Sequence, residues 1–136
     1  MKFLFSVKPR NTATNLSLLL LRLGIGGLMM THGLPKLQRL LGDGEISFAD
    51  PLGIGATPSL VAAILAEVVG SVLIMLGLGT RLASISLIFT MAVAVFIVHA
   101  DDPFARKELG LIYLLVYIVL LIMGSGKYSV DRFISR

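Results

Sequence analysis

The sequence predicts an all-α integral membrane protein, folded as one antiparallel bundle of four transmembrane helices. Two features of its composition predict this class: 56% of the residues are hydrophobic and only 15% are charged, against about 45–50% and about 25% in soluble domains. The third is that the apolar residues form four long blocks, each close to the roughly 20 residues that cross a bilayer as a helix. A chain of 136 residues fits one domain, so we predict a single membrane domain over residues 1–136.

The first predicted span covers residues 16–34 and follows a basic arm. The basic residues of this arm are Lys2, Lys8 and Arg10. Thr12 or Asn15 is expected to cap the helix, and Pro35 is expected to stop or kink it. The next segment, 42–58, is rich in Gly, Pro and acidic residues. It is therefore predicted to be an outer loop that forms a lid or a partly inserted segment over one end of the bundle.

Three further spans follow at 60–79, 82–98 and 108–123. Ser59 is expected to cap the second span, and residues 79–81 are expected to form a tight turn into the third. The first and second spans carry small residues at helical spacing, which lets neighbouring helices approach closely. Short connections between consecutive spans predict antiparallel neighbours.

The distribution of basic residues predicts the topology. Four spans place both termini on one side of the membrane, and this side carries seven Lys and Arg residues in the arm, the turn at Arg81 and the tail that ends at Arg136. The opposite side carries four, diluted by acidic residues. The positive-inside rule then places both termini in the cytoplasm. Because the basic residues flank apolar blocks, they are typical of topology signals and lipid headgroup contacts rather than of nucleic-acid binding.

Two charged residues lie inside apolar blocks, where an ionisable side chain costs several kcal/mol unless it has a partner. Arg22 lies about 9 Å from the inner end of the first span, and Glu67 about 10 Å from the outer end of the second. We predict that Arg22 and Glu67 pair or share a polar cavity. The alternative is that Arg22 reaches the interface and that both residues serve the fold alone.

Antiparallel threading brings further polar residues to the outer rim, above Glu67. They are His32, Lys36, His99 and Glu108. Two imidazoles, two carboxylates and an ammonium are suited to binding a quinone, a small anion or a metal, or to relaying protons. The alternative is that they only hydrate the interface. Ligation of haem by His32 and His99 is the weaker cofactor hypothesis, and the spacing of these residues specifies no metal site.

Apolar and aromatic residues near this rim could line a pocket or simply pack. They are Met29, Met30, Tyr113 and Tyr117. The chain has no cysteine, which excludes thiolate nucleophiles, disulfides and iron–sulfur clusters within the chain itself. Electron transfer would therefore need a quinone, a haem or a partner protein.

Four blocks of sequence carry a family resemblance: RLGIGGLMMTHGLPKL, LAEVVGSVLIMLGLGTRLAS, FTMAVAVFIVHADDPFARKELGLIYLL and MGSGKYSVD. Their order and spacing resemble the signature blocks of the DoxX family, over about residues 21–131. The resemblance implies a four-helix protein of a bacterial-type inner membrane. The family is named after a subunit of a quinone-linked oxidase and thiosulfate:quinone oxidoreductase system, and other members are tied to redox maturation, oxidative stress or assembly. The residues that carry over are Arg22, His32, Lys36, Glu67, His99 and Glu108.

The resemblance and the polar residues together favour a membrane subunit of a quinone-linked or other redox complex, with a polar pocket in its outer half. Such a chain is at most a subunit of an oxidoreductase and not an enzyme alone. Its expected partners are the lipid bilayer and redox proteins, and a homo-oligomer stays open. The alternative is a non-catalytic assembly factor, or a permease-like bundle that binds lipid or another small molecule.

Overall fold

The computed structural model describes residues 2–7 and 10–135, and all regular structure in those ranges is helical. Lys8 and Arg136, which the sequence analysis assigned to the basic arm and tail, lie outside the described residues. The helices are α1 (Lys2–Phe5), α2 (Thr12–Leu41), α3 (Ala56–Leu76), α4 (Thr80–Val98), α5 (Phe104–Met123) and α6 (Val130–Ile134).

In the described part of the chain, α2, α3 and α4 are long and apolar enough to cross a membrane. The 20 residues of α5 are also long enough, but its first turns carry Arg106, Lys107 and Glu108. The predicted all-α membrane class is confirmed. The fourth span stays a prediction.

The four long helices form a ring in which α2 packs on α3, α3 on α4, α4 on α5, and α5 on α2. One end of the bundle, here the loop end, carries the segment 42–55 and the turn between α4 and α5. The other end, here the terminal end, carries the turn between α3 and α4 and both termini. Large apolar side chains fill the centre, among them Met29, Ile74, Leu87, Tyr117 and Leu120.

The ends of α2 differ from the prediction. The helix begins at Thr12 and is capped by Asn11, whose side chain accepts a hydrogen bond from the Thr14 backbone N–H at 2.8 Å. The predicted caps Thr12 and Asn15 are therefore wrong. Pro35 does not stop the helix, which continues to Leu41, and the turn that follows Pro35 is held against α3 by an ion pair described below.

The start of α3 also differs from the prediction. The helix begins at Ala56 after Gly55, whose φ of 106° a residue with a side chain rarely adopts. Ser59 lies inside the first turn and is not the predicted cap, because its hydroxyl donates instead to the Asp50 carboxylate at 3.1 Å. Segment 42–55 thus forms the loop, slightly shorter than the predicted 42–58.

Two neighbouring helices each contain a π-helical turn, α3 near its middle and α4 at the loop end. In α3 it covers Leu65–Val69, which includes Glu67, and in α4 it covers Ala94–Val98, which immediately precedes His99. Such turns are uncommon and often occur at functional sites, since they displace side chains from the regular helical positions. Two predicted polar residues therefore lie at irregular points of the bundle.

Candidate functional site

A groove with a volume of about 820 Å³ runs between α3 and α4, from Leu82 near the start of α4 to His99 at the loop end, and the loop 42–55 contributes to its lining. Its lining is mostly apolar, with small side chains such as Ala62, Ala66 and Ala94 beside larger ones such as Phe48, Ile85 and Phe89. Three ionisable residues also line it: Lys36, Glu67 and His99. The groove opens at the side of the bundle between exposed apolar residues, among them Leu65, Leu82 and Phe89. In a membrane this side would face the lipid.

An ion pair forms the polar part of this groove. Lys36 Nζ lies 2.6 Å from Oε1 and 2.5 Å from Oε2 of Glu67. Glu67 is only 2% exposed, whereas the Lys36 side chain is 25% exposed and its Nζ lies 5.8 Å from the centre of the Phe48 ring. A buried carboxylate thus neutralises an ammonium that still reaches the groove.

The directions of the helices explain this pairing. Side chains on a helix lean toward its amino terminus. Lys36 on α2 therefore leans toward the terminal end, and Glu67 on α3, which begins at the loop end, leans toward the loop end. The two side chains approach each other. Arg22, which lies nearer the terminal end of α2, leans toward that end and therefore away from Glu67.

The predicted pair between Arg22 and Glu67 is accordingly wrong. Arg22 is 0% exposed and donates to the backbone carbonyl oxygens of Tyr128 and, at 3.5 Å, Ile74. The Ile74 carbonyl belongs to the last turn of α3 and also accepts from the Gly77 N–H at 3.1 Å. Arg22 therefore joins α2, α3 and the segment after α5 at the terminal end.

An aspartate completes this terminal-end cluster. Asp131 Oδ1 accepts from the Gly79 N–H at 2.7 Å and Oδ2 from the Thr80 N–H at 3.3 Å. Asp131 thus caps the start of α4, where Gly79 has no side chain to do so. A negative charge at a helix amino terminus is electrostatically favourable. This role was not predicted from the sequence, although Asp131 lies in the block MGSGKYSVD.

Two further arginines bind carbonyl groups at the end of α5. Arg81 donates to Leu121 O at 3.0 Å, and Arg10 donates to Met123 O at 2.7 Å. Arg81 also donates to Phe3 O at 2.6 Å and stacks on the Phe3 ring, with 4.5 Å between Cζ and the ring centre. The cluster therefore places positive charge at helix carboxyl ends and negative charge at an amino end, which is the stabilising arrangement.

The remaining rim residues do not all converge. His32 is exposed and contacts the Tyr113 ring edge-on, with centroids 5.6 Å apart. Glu108 is exposed, without a hydrogen bond or ion pair to any described residue. His99 does line the groove, and its Nδ1 lies 2.6 Å from Asp102 Oδ2. The hydrogen bond from His99 is the main cause that lowers the pKa of Asp102.

The four residues that could line a pocket or simply pack are not among those that line this groove. Met29, Tyr113 and Tyr117 are buried in the core, and Met30 is half-buried outside the groove. Tyr113 and Tyr117 stack with centroids 6.1 Å apart. In residues 2–7 and 10–135, no group of three or more His, Asp or Glu side chains could hold a metal ion.

The loop that borders the groove is held by Asp50. Its carboxylate accepts from the backbone N–H groups of Ile54 and Gly55, both at 2.9 Å, and from the Ser59 hydroxyl. Partial desolvation raises the pKa of Asp50, but the hydrogen bonds from Gly55, Ser59 and Ile54 outweigh it, so the pKa is lowered overall. This aspartate was not predicted as a site residue, although an Asp followed by Pro and Gly is a recognisable turn signal.

Comparison with known proteins adds a family and relatives. The family model described as DoxX matches residues 17–100. A protein of Bacillus subtilis (strain 168) named "Putative oxidoreductase CatD" is 32% identical over 129 residues, which cover 93% of this chain and 92% of that protein. Two uncharacterized proteins of Haemophilus influenzae are 32% and 27% identical, covering 82% and 95% of this chain and 86% and 90% of their own lengths. No solved structure matches.

Proposed function

This chain belongs to the DoxX family, and on that premise we propose that it is a quinone-binding subunit of a membrane redox complex. The observation that carries the proposal is the ion pair of Lys36 and Glu67 in the wall of an apolar groove. One relative carries the name "Putative oxidoreductase CatD", which is consistent with a redox role for this chain.

The chemistry of the groove fits the head of a quinone. An ammonium has three N–H donors, and Glu67 takes two of those on Lys36. The third can donate to a quinone carbonyl oxygen. Phe48 and Phe89 supply flat apolar contacts for the ring, and His99 can exchange a proton at the rim.

The role of the chain in such a complex is to hold the quinone. The sequence has no cysteine, and no three-residue metal cluster occurs in the described residues. Electrons would come from or pass to a partner protein. In this proposal the chain lies in a bacterial-type inner membrane with four spans, both termini in the cytoplasm and the loop end on the outside.

Binding of a quinone to the purified protein tests the proposal. The protein would be reconstituted in nanodiscs, and a short-chain ubiquinone analogue titrated by calorimetry. Lys36→Met should weaken binding about 10- to 100-fold, the equivalent of losing a hydrogen bond from a charged donor. Lys127→Met at the terminal end is the matched control and should bind normally. Unchanged affinity in Lys36→Met would contradict the proposal.

The assembly or lipid-binding alternative predicts a different result. It is favoured by the sideways opening of the groove past exposed apolar residues such as Leu65 and Leu82. Under this alternative, mass spectrometry of an organic extract would show phospholipid without stoichiometric quinone, and the titration would show no heat in either variant or in the original protein.

A further inference from the structure

A second cavity continues the groove toward the terminal end. Its volume is about 310 Å³, and it lies between the second half of α3 and the first half of α4. The two cavities share three lining residues: Leu65, Leu82 and Ser86. They are therefore adjacent along the α3–α4 interface, and the two together are called the track below.

The length of this track is close to the thickness of the membrane. On α4 it reaches from Gly79 at the terminal end to His99 at the loop end, which corresponds to about 30 Å at 1.5 Å per residue. The hydrocarbon core of a bilayer has a similar thickness. All ionisable lining residues lie in the groove. The second cavity is lined only by apolar residues, glycines and Ser86.

The terminal end of the track is bounded by the first helix. Phe5 belongs to its lining and lies on α1, which is held by Arg81 through Phe3 O at 2.6 Å and Ser6 O at 2.8 Å. The track thus has ionisable residues toward the loop end, an apolar lining beyond them, and Phe5 at its terminal end.

We propose that this track holds the single long apolar tail of the ligand, with the head at Lys36 and Glu67 and the tail passing Ser86 toward Phe5. The inference rests on the proposed function and specifies its substrate class as a tailed quinone. A phosphate head is disfavoured because Glu67 already neutralises the Lys36 charge, and phosphate sites need uncompensated positive charge. An uncharged carbonyl head needs only one N–H donor.

Photo-crosslinking in nanodiscs tests the position of the tail. The probe is a benzoquinone with a stearyl chain that carries a diazirine at its far end, and labelled peptides are mapped by mass spectrometry. We expect labelling in the peptides that contain Phe5 or the segment 69–83. Labelling spread evenly over lipid-facing positions such as Leu115, as for free lipid, would overturn the inference.

A bulky side chain at the junction of the two cavities gives a second test of the tail position. Ser86 is exposed in the track, so Ser86→Phe should fold while blocking it. The variant should lose tail labelling, whereas a probe with the diazirine beside the ring should still label the peptides of Lys36 and Glu67. Ser17→Phe, the same substitution at an exposed position outside both cavities, should retain both signals. If Ser86→Phe does not fold, Leu82→Trp at the same junction replaces it.

The failure of the tail site and of the proposed function are distinguishable. If the probe with the diazirine beside the ring labels normally and tail labelling persists in Ser86→Phe, the tail site is overturned and quinone binding stands. Labelling of the track by a stearyl alcohol probe, with none by either quinone probe, would overturn quinone binding and support the tail site.

Discussion

Gly33 on α2 faces Glu67 on α3 so closely that a Cβ atom on Gly33 would lie 3.2 Å from the Cβ of Glu67. The same atom would lie only 2.8 Å from Cγ2 of Val68. The missing side chain lets the two helices approach at this level, and Lys36 lies three residues further along α2. Gly33 thereby sets the distance that the Lys36 side chain must cover to reach Glu67.

Gly33→Ala is expected to weaken both the fold and the site. The added methyl group must displace α3, which should lower the free energy of unfolding by about 1–3 kcal/mol, as overpacking does elsewhere. Thermal unfolding in detergent would measure stability, and the quinone titration would measure the site. Gly27→Ala on the same helix is the control, because its Cβ would meet nothing within 4 Å. Equal behaviour of the two variants would contradict the close approach at Gly33.

Removing one member of the ion pair should cost more than replacing both. Lys36→Met leaves the Glu67 carboxylate buried without a cation, a situation that costs about 3–5 kcal/mol in other proteins. Glu67→Leu should cost less, because Lys36 is one-quarter exposed and can turn toward the rim. The double variant Lys36→Met/Glu67→Leu should recover most of the loss. Additive effects in a double-mutant cycle would show that the pair is not coupled.

The class of the fold could be predicted from the sequence, whereas the helix ends could not. Long apolar blocks follow from bilayer thickness alone, so their number and order are visible in the chain. Which side chain caps a helix depends on the contacts that form only after folding. The Ser59 hydroxyl turned out to bind Asp50, and Asn11 caps α2 one residue before Thr12, the nearer of the two predicted candidates.

Glu67 was recognised from sequence as a central residue, but its partner was not. Because Pro35 was expected to end or kink the first helix, Lys36 was expected to lie beyond the regular helix, at the outer rim of the bundle. Because α2 continues to Leu41, Lys36 keeps its helical position. Its spacing from Gly26, Met29 and Gly33 on one face was the available signal. The contact of Asp131 with Gly79 joins residues 52 positions apart, and no local pattern predicts such a cap.

The anchor of the loop should be sensitive to acid. Because the pKa of Asp50 is lowered in the folded protein, its stabilising contribution is complete above the ordinary Asp pKa of about 3.9. It is lost as the pH falls through the lowered value. NMR titration of the Ile54 and Gly55 amide shifts should therefore give a midpoint below about 3.9.

Two variants separate this effect from general acid unfolding. Asp50→Asn should abolish the titration of the two amide shifts. Asp43→Asn, at an exposed position of the same loop, should leave it intact. A midpoint at or above the ordinary Asp value would be inconsistent with carboxylate-bound amides.

The terminal-end cluster should matter for stability and not for ligand binding. Asp131→Ala removes both acceptors from the Gly79 and Thr80 N–H groups, and losing such a cap costs about 0.5–2 kcal/mol. It also removes a negative charge that acts on Arg22 and Arg81, so the total loss should exceed that of a cap alone. Asp131→Asn keeps a capping oxygen but no charge, and should lie between the original protein and Asp131→Ala in thermal unfolding.

The quinone titration distinguishes a structural cluster from a second functional site. Asp131 binds the terminal end of α4, whereas the Lys36–Glu67 pair lies toward the loop end. Folded Asp131→Asn protein should therefore bind quinone with unchanged affinity, as should the control Asp101→Asn at an exposed position. Loss of affinity in Asp131→Asn at unchanged melting temperature would show that the two ends of the bundle are coupled, and that the cluster does more than hold the helices together.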